Sequence, residues 1–170
     1  PGGATLIFEI ELLEILVSYK NKEEAIEAIS HDCETASDLF KSGNFDEARK
    51  LYQKGVNALG EYYGKEVDAL KLRLNRNLAA VTAKLGDWKE SLKHADEVLK
   101  KEANDAKALF QRMKAHINLG NAEEAREAFN KGIAVTKNSP VFQACRTELE
   151  NLEREVRQQQ NKLFAKMVGK

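Results

Sequence analysis

Apolar positions along the chain follow two periods. Near the N-terminus Phe8, Ile10 and Leu12 alternate with Ile7, Glu9 and Glu11, behind a Pro1-Gly2-Gly3 turn signal. A period of two in branched and aromatic residues predicts a strand over 6–15 with one fully apolar face. Nothing else in the chain looks like a partner strand. An unpaired strand edge is a template for pairing, so the segment is a candidate for homodimerisation with a second copy. From Asn21 the period becomes helical. Glu23 to Ile29 predicts a short amphipathic linker helix within 18–31, and from His31 onward the helical pattern runs through three glycine-marked turns.

The turns belong to one phrase written three times. Lys41-Ser42-Gly43-Asn44-Phe45-Asp46-Glu47-Ala48 returns as Lys84-Leu85-Gly86-Asp87-Trp88-Lys89-Glu90-Ser91 and as Asn118-Leu119-Gly120-Asn121-Ala122-Glu123-Glu124-Ala125. Gly86 and Gly120 stand 34 residues apart, and Gly43 and Gly86 stand 43 apart, with Tyr62-Tyr63-Gly64-Lys65 where the extra residues would sit. The glycine permits a tight turn between antiparallel helices. The small residue five positions on (Ala48, Ser91, Ala125) lets the second helix approach the first. Tyr52, Ala95 and Phe129 then face the same seam, followed by Gly55, Val98 and Gly132. Ala36 and Ala79 are the matching small positions of the first helices; Met113 is the exception. Such a hairpin cannot bury its apolar face alone, so copies stack into a solenoid with a concave face. The phrase and its period resemble the tetratricopeptide repeat, in three copies over 32–137. The fold class expected is therefore all-α, a helical solenoid preceded by an orphan strand.

After Asn138-Ser139-Pro140, a sensible helix entry, a long helix is expected over 138–170 through Phe142, Cys145, Leu149, Leu152 and Val156. It reads as a cap over the open end of the solenoid, its polar far end projecting into solvent. Composition narrows the function. Lys+Arg and Asp+Glu are both 27, and a balanced chain lacks the basic surplus of a nucleic-acid binder. Hydrophobic residues at 42% can bury a core and so exclude an acidic disordered tail. No run approaches the roughly 18 apolar residues of a membrane span, and no secretion signal precedes the strand. Cys33 and Cys145 lie far apart without metal-ligand spacing, which excludes a structural zinc site and suits a reducing, cytoplasmic setting.

The N-terminal strand, Pro1 to Leu12, resembles the closing strand of an FKBP-type peptidyl-prolyl isomerase domain. Arg76-Asn77-Leu78-Ala79-Ala80 is similar to the second repeat of the multidomain immunophilins, and the lengthened first hairpin and a last helix ending in Leu163-Phe164-Ala165-Lys166-Met167 fit the same group. The resemblance implies the C-terminal part of an immunophilin co-chaperone, with residues 1–17 as the last strand of a truncated isomerase domain whose catalytic pocket lies upstream. The chain itself is then expected not to be an enzyme. The family's repeat domain grips the acidic Met-Glu-Glu-Val-Asp tail of the ninety-kilodalton heat-shock chaperone through a five-residue carboxylate clamp, whose charges must meet two carboxylates on one concave surface.

Carried over from each turn glycine, the clamp is broken. The first repeat's Lys falls on Cys33 and its Asn on Ser37. Asn77 meets the second repeat's Asn, and Lys107 meets the third repeat's Lys. The last Arg falls on Gln111, and Arg112, about 100° round the helix, cannot replace it. Each lost charge-assisted hydrogen bond is worth roughly 1.5–3 kcal/mol. The groove-facing positions still carry Lys41, Arg73, Lys84, Lys107 and Lys114, which predicts a basic trough of altered affinity for an acidic peptide; the alternative is ordinary solvated helix surface. No catalytic constellation, phosphate-cradling loop or cofactor site accompanies these residues. His31, His94 and His116 fall on different elements. Residues 161–170, basic with Leu163, Phe164, Met167 and Val168, are of the amphipathic type that calmodulin takes, and relatives are credited with calmodulin binding there. The expected function is a non-catalytic module docking an acidic chaperone C-terminus. The alternative is an adaptor for another partner without carboxylate recognition.

Overall fold

The computed structural model describes residues 19–169. The expected N-terminal strand, and the dimerisation reading attached to it, fall in residues 1–18 and lie outside the described residues. Eight helices follow in the described part: α1 (Lys22–Lys41), α2 (Phe45–Ala58), α3 (Lys65–Lys84), α4 (Trp88–Lys101), α5 (Ala106–Leu119), α6 (Ala122–Thr136), α7 (Pro140–Gln143) and α8 (Arg146–Val168). They form three antiparallel hairpins, α1–α2, α3–α4 and α5–α6, stacked in chain order. The helical solenoid expected from the repeats is what the chain forms.

Local chemistry sets the helix starts. Asn21 Oδ1 accepts from Glu24 N–H at 2.8 Å, Asp87 Oδ1 from Glu90 N–H at 3.3 Å and Asp105 Oδ1 from Ala108 N–H at 2.7 Å, each satisfying an orphan donor of a first turn. The Asn21 cap starts α1 ten residues ahead of the first repeat, and no breaker separates Ile29 from Cys33. The expected linker helix and the first repeat helix are therefore one continuous element.

The three turns are superimposable in their bonding. Gly43, Gly86 and Gly120 take φ of +87°, +78° and +79°, a region where a side chain is strained. Beyond each glycine the next amide closes the same bond at 2.9 Å: Asn44 N–H to Leu39 O, Asp87 N–H to Thr82 O and Asn121 N–H to His116 O. The seam residues after each turn are sealed, with Ala48, Ser91 and Ala125 all at 0% exposure. Ser91 Oγ donates to the Ala79 carbonyl at 2.8 Å, so the backbones are in direct reach where the two small positions meet.

The core runs the length of the stack. Ile29, Cys33, Tyr52, Leu59, Leu74 and Leu78 fill its first half, and Leu109, Met113, Phe129, Phe142 and Leu149 the second, bridged by Ala79, Ala95, Val98 and Ala108. The expected single capping helix is two. The chain bends at Ala144–Cys145, between Phe142, seated on Gly132 of α6, and Leu149, buried in the second half of the core. Arg126 holds Glu153 through a bidentate pair, 2.6 Å on each arm. Beyond Val156 every described residue of α8 is exposed, including Leu163, Phe164, Met167 and Val168.

Two histidines are buried at the hairpin seams. His94 Nδ1–H donates to Asn75 Oδ1 at 2.9 Å, because the Asn75 amide nitrogen is already given to the Lys71 carbonyl. At His116, Asn121 Nδ2 donates to Nδ1 at 3.2 Å, which leaves the ring proton on a buried Nε2 without an acceptor. Burial pushes both imidazoles below the ordinary histidine range, with Glu90 opposing the shift at His94 and the Arg112 charge adding to it at His116.

Two expectations follow for stability. A Cβ on Gly132 would lie 2.1 Å from the Phe142 ring. Gly132→Ala gains about 1 kcal/mol of helix propensity but forces that ring from its seat, an overpacking cost of about 1–3 kcal/mol. The urea midpoint falls, and falls less when Phe142→Leu is added, a non-additivity that urea titration of the two single variants and the double variant reads directly. The histidines make stability pH-dependent. Their folded pKa lies below the unfolded value of about 6.5, so their contribution is complete above that pH and is lost as pH falls through it toward the folded value. Denaturant titrations from pH 7.5 to 5 show declining stability, and His94→Gln/His116→Gln flattens the slope.

Candidate functional site

The first helices of the three hairpins, α1, α3 and α5, lie side by side along one face, with α7 at the end of the row. Residues three and four apart on a helix share a side, so Arg73, Asn77, Ala80 and Lys84 form a line on α3, and Lys107, Phe110, Gln111 and Lys114 form one on α5. Between them opens a cavity of about 330 Å³, lined by Asn77, Lys107 and Gln111 together with Arg76, Phe110 and Phe142. Three of the five positions carried over as clamp residues therefore meet around one space. Two rings make its wall: Phe110 and Phe142 pack edge to face, centroids 5.7 Å apart at 89°.

The first-repeat positions are placed differently. Cys33 is only 1% exposed, beneath Asn77, whose Nδ2 lies 3.7 Å from its sulfur. Burial pushes the Cys33 thiol above its ordinary pKa, and the nearby Arg73 charge and the Asn77 amide offset this only in part. The thiol is neutral packing. Ser37 is committed too, donating to the Cys33 carbonyl at 2.8 Å while its oxygen lies 3.0 Å from the Tyr52 hydroxyl. Burial raises the Tyr52 phenol, with the Ser37 bond and the Arg73 charge acting the other way. The Arg73 charge thus reaches the Cys33–Tyr52 cluster from α3, one turn from Asn77.

The expected basic trough is narrower than five cations. Lys114 is bound to Glu148 of α8 at 2.7 Å, and Lys41, at the end of α1, to Asp38 at 2.8 Å. Arg76, inside the cavity wall, is neutralised twice, by Glu102 at 2.8 Å and Asp105 at 2.7 Å. Arg112 turns away from the groove to Asp96 of α4, 3.6 Å off. Arg73, Lys84 and Lys107 have no carboxylate partner among the described residues. Sequence reasoning placed Phe142 in the cap but missed that it and Phe110 wall the cavity. The 34-residue offset from Lys107 to Val141, another lining residue, was the signal available for it. Among the described residues no cluster of His, Cys, Asp and Glu has the makings of a metal site, and no helix is long and apolar enough to cross a membrane.

A concave row of first helices, sealed by glycine turns and small-residue seams at a 34-residue period, defines a tetratricopeptide-repeat domain. The tetratricopeptide repeat family model matches residues 83–149. Across 96% of its length the chain is 31% identical to peptidyl-prolyl cis-trans isomerase FKBP42 of Arabidopsis thaliana, covering 49% of that protein. The chain spans half or less of the length of the curated relatives it matches. Among solved structures, the C-terminal repeat-containing domain of a Plasmodium falciparum FK506-binding protein superposes with a TM-score of 0.72 at 23% identity, over 82% of this chain and 95% of that one. The first repeat domain of Spaghetti (RPAP3), solved with the HSP90 peptide SRMEEVD, superposes with a TM-score of 0.63 at 20% identity, over 76% of this chain and 94% of that one. The chain is a tetratricopeptide-repeat domain with FKBP-type relatives, and it fits the C-terminal repeat domain of an immunophilin.

Proposed function

We propose that this chain is a non-catalytic interaction module that docks the acidic C-terminal peptide of a heat-shock chaperone of the ninety-kilodalton class in its concave groove. The observation that carries this reading is the convergence of Asn77, Lys107 and Gln111 on one cavity, with Lys107 unpaired among the described residues. An ammonium beside two amide groups offers charge and hydrogen-bond donors to a carboxylate together. The fold shared with the RPAP3 domain, itself solved with an HSP90 peptide, supports the same reading. The clamp is a degenerate one, since Cys33 and Gln111 stand where the family carries cations. The Phe110–Phe142 wall favours a second reading, in which the groove takes an internal apolar segment of another partner without reading a carboxylate.

Titration calorimetry with the peptide SRMEEVD, as the free acid and with an amidated C-terminus, separates the two. The free acid is expected to bind more tightly, and Lys107→Ala to weaken it by about 10-fold or more, the loss of one charge-assisted bond. Equal binding of both forms supports the second reading. A proline-isomerase assay on this chain is expected to read at background, and turnover would contradict the non-catalytic assignment.

A further inference from the structure

Arg73 and Lys107 lie 34 residues apart, and so do Asn77 and Gln111. This is the offset of the Gly86 and Gly120 turns, so the two cations occupy equivalent positions on equivalent helices, and so do the two amides. Each cation stands one turn ahead of its amide on the same helix face. The surrounding basic groups Arg76, Arg112, Lys114 and Lys41 are held by Glu102 and Asp105, Asp96, Glu148 and Asp38, whereas neither Arg73 nor Lys107 has a carboxylate partner among the described residues.

We propose that these four residues form a two-rung ladder, Arg73 with Asn77 on α3 and Lys107 with Gln111 on α5, each rung binding one carboxylate of a single extended acidic peptide. This deepens the acidic-peptide reading above and rests on it. On α1 the equivalent face holds no free cation, because Cys33 is buried and Ser37 is bonded to Tyr52 and to the Cys33 carbonyl. Arg73, one turn ahead of the Asn77 whose amide meets the Cys33 sulfur, brings the missing charge to that end of the groove from the neighbouring helix. Its guanidinium also carries more donors, in a fixed fork, than the lysine it replaces.

The spacing selects the ligand. Packed helices such as α3 and α5 lie about 8–10 Å apart, and an extended peptide rises about 3.3 Å per residue. The ladder therefore spans carboxylates roughly two or three residues apart, or a chain-terminal carboxylate and a nearby acidic side chain. The Phe110–Phe142 wall and Val141, beside the second rung, receive an apolar side chain flanking the acidic pair. A single carboxylate fills only half of the ladder.

The test is calorimetry of the full chain with SRMEEVD, with the same peptide carrying Gln in place of its second Glu, two residues before the terminus, and with its C-terminal amide. Arg73→Gln and Lys107→Gln are each expected to weaken the parent peptide by about 10-fold or more. Lys89→Gln, at an exposed position of α4 and with the same change of net charge, is expected to stay within about two-fold. Arg73→Lys retains most of the binding. Each rung variant loses sensitivity to one of the two modified peptides and keeps it to the other. If the parent chain binds and Lys107→Gln weakens it while Arg73→Gln behaves like Lys89→Gln, the ladder is overturned and the acidic-peptide reading stands. If the parent chain binds neither the free acid nor its analogues, both fall together.

Discussion

The close approach of two helices within each hairpin is the constraint on which the rest of the structure depends. It is most direct in the second hairpin, where the Ser91 hydroxyl reaches the Ala79 carbonyl. A side chain larger than Ser or Ala at these seams would hold the helices apart and turn the first helix of each repeat away from its neighbours. With Ala48, Ser91 and Ala125 fully buried, the three first helices are held in one row. Only then do residues 34 apart in sequence become neighbours in the groove. The left-handed glycine of each turn and the bond that closes beyond it keep that geometry the same from hairpin to hairpin.

The end of the stack uses the same device with a different partner. Gly132 has no side chain, and the Phe142 ring occupies the space a Cβ would take. Phe142 is thereby fixed against Phe110 and becomes part of the cavity wall. The following helix, α8, then covers the last hairpin through Leu149 and the Arg126–Glu153 pair, whose hydrogen bonds hold the Glu153 carboxyl below its usual range. The cap thus shapes the groove as well as closing the core, and through Glu148 it also removes the Lys114 charge from it.

Much of the fold was legible because it is periodic. Three copies of one phrase gave the hairpins, their turns and the seam residues, each of which the structure buries. The boundaries that escaped are those set by single contacts. α1 begins at an Asn21 cap that no repeat rule marks, and the bend at Ala144–Cys145 has neither glycine nor proline at it. It lies between two anchors, Phe142 and Leu149, whose partners come from tertiary packing. Counting from the turn glycines put Asn77, Lys107 and Gln111 on one surface, and the cavity gathers all three. Which lysines remain free was not legible. Lys41–Asp38 is local, but Lys114–Glu148 joins residues that only the folded chain brings together.

A chain with equal numbers of acidic and basic residues has no net charge to draw in a partner, so the distribution of its ion pairs matters more than their sum. At physiological ionic strength charges beyond about 8 Å are largely screened, and a cation held at 2.7–2.8 Å by its own carboxylate offers little to a ligand. On α3 and α5 the pairing is uneven. Arg76 is neutralised twice and Lys114 once, while Arg73, Lys84 and Lys107 are left without a carboxylate among the described residues, and of these Arg73 and Lys107 each stand a turn ahead of an amide. On the proposed reading, recognition is short-ranged and geometric: an acidic ligand gains from these charges only when its carboxylates reach the two positions. Net neutrality is therefore compatible with binding an acidic peptide, and a groove with few unpaired cations attracts polyanions less than a uniformly basic one would.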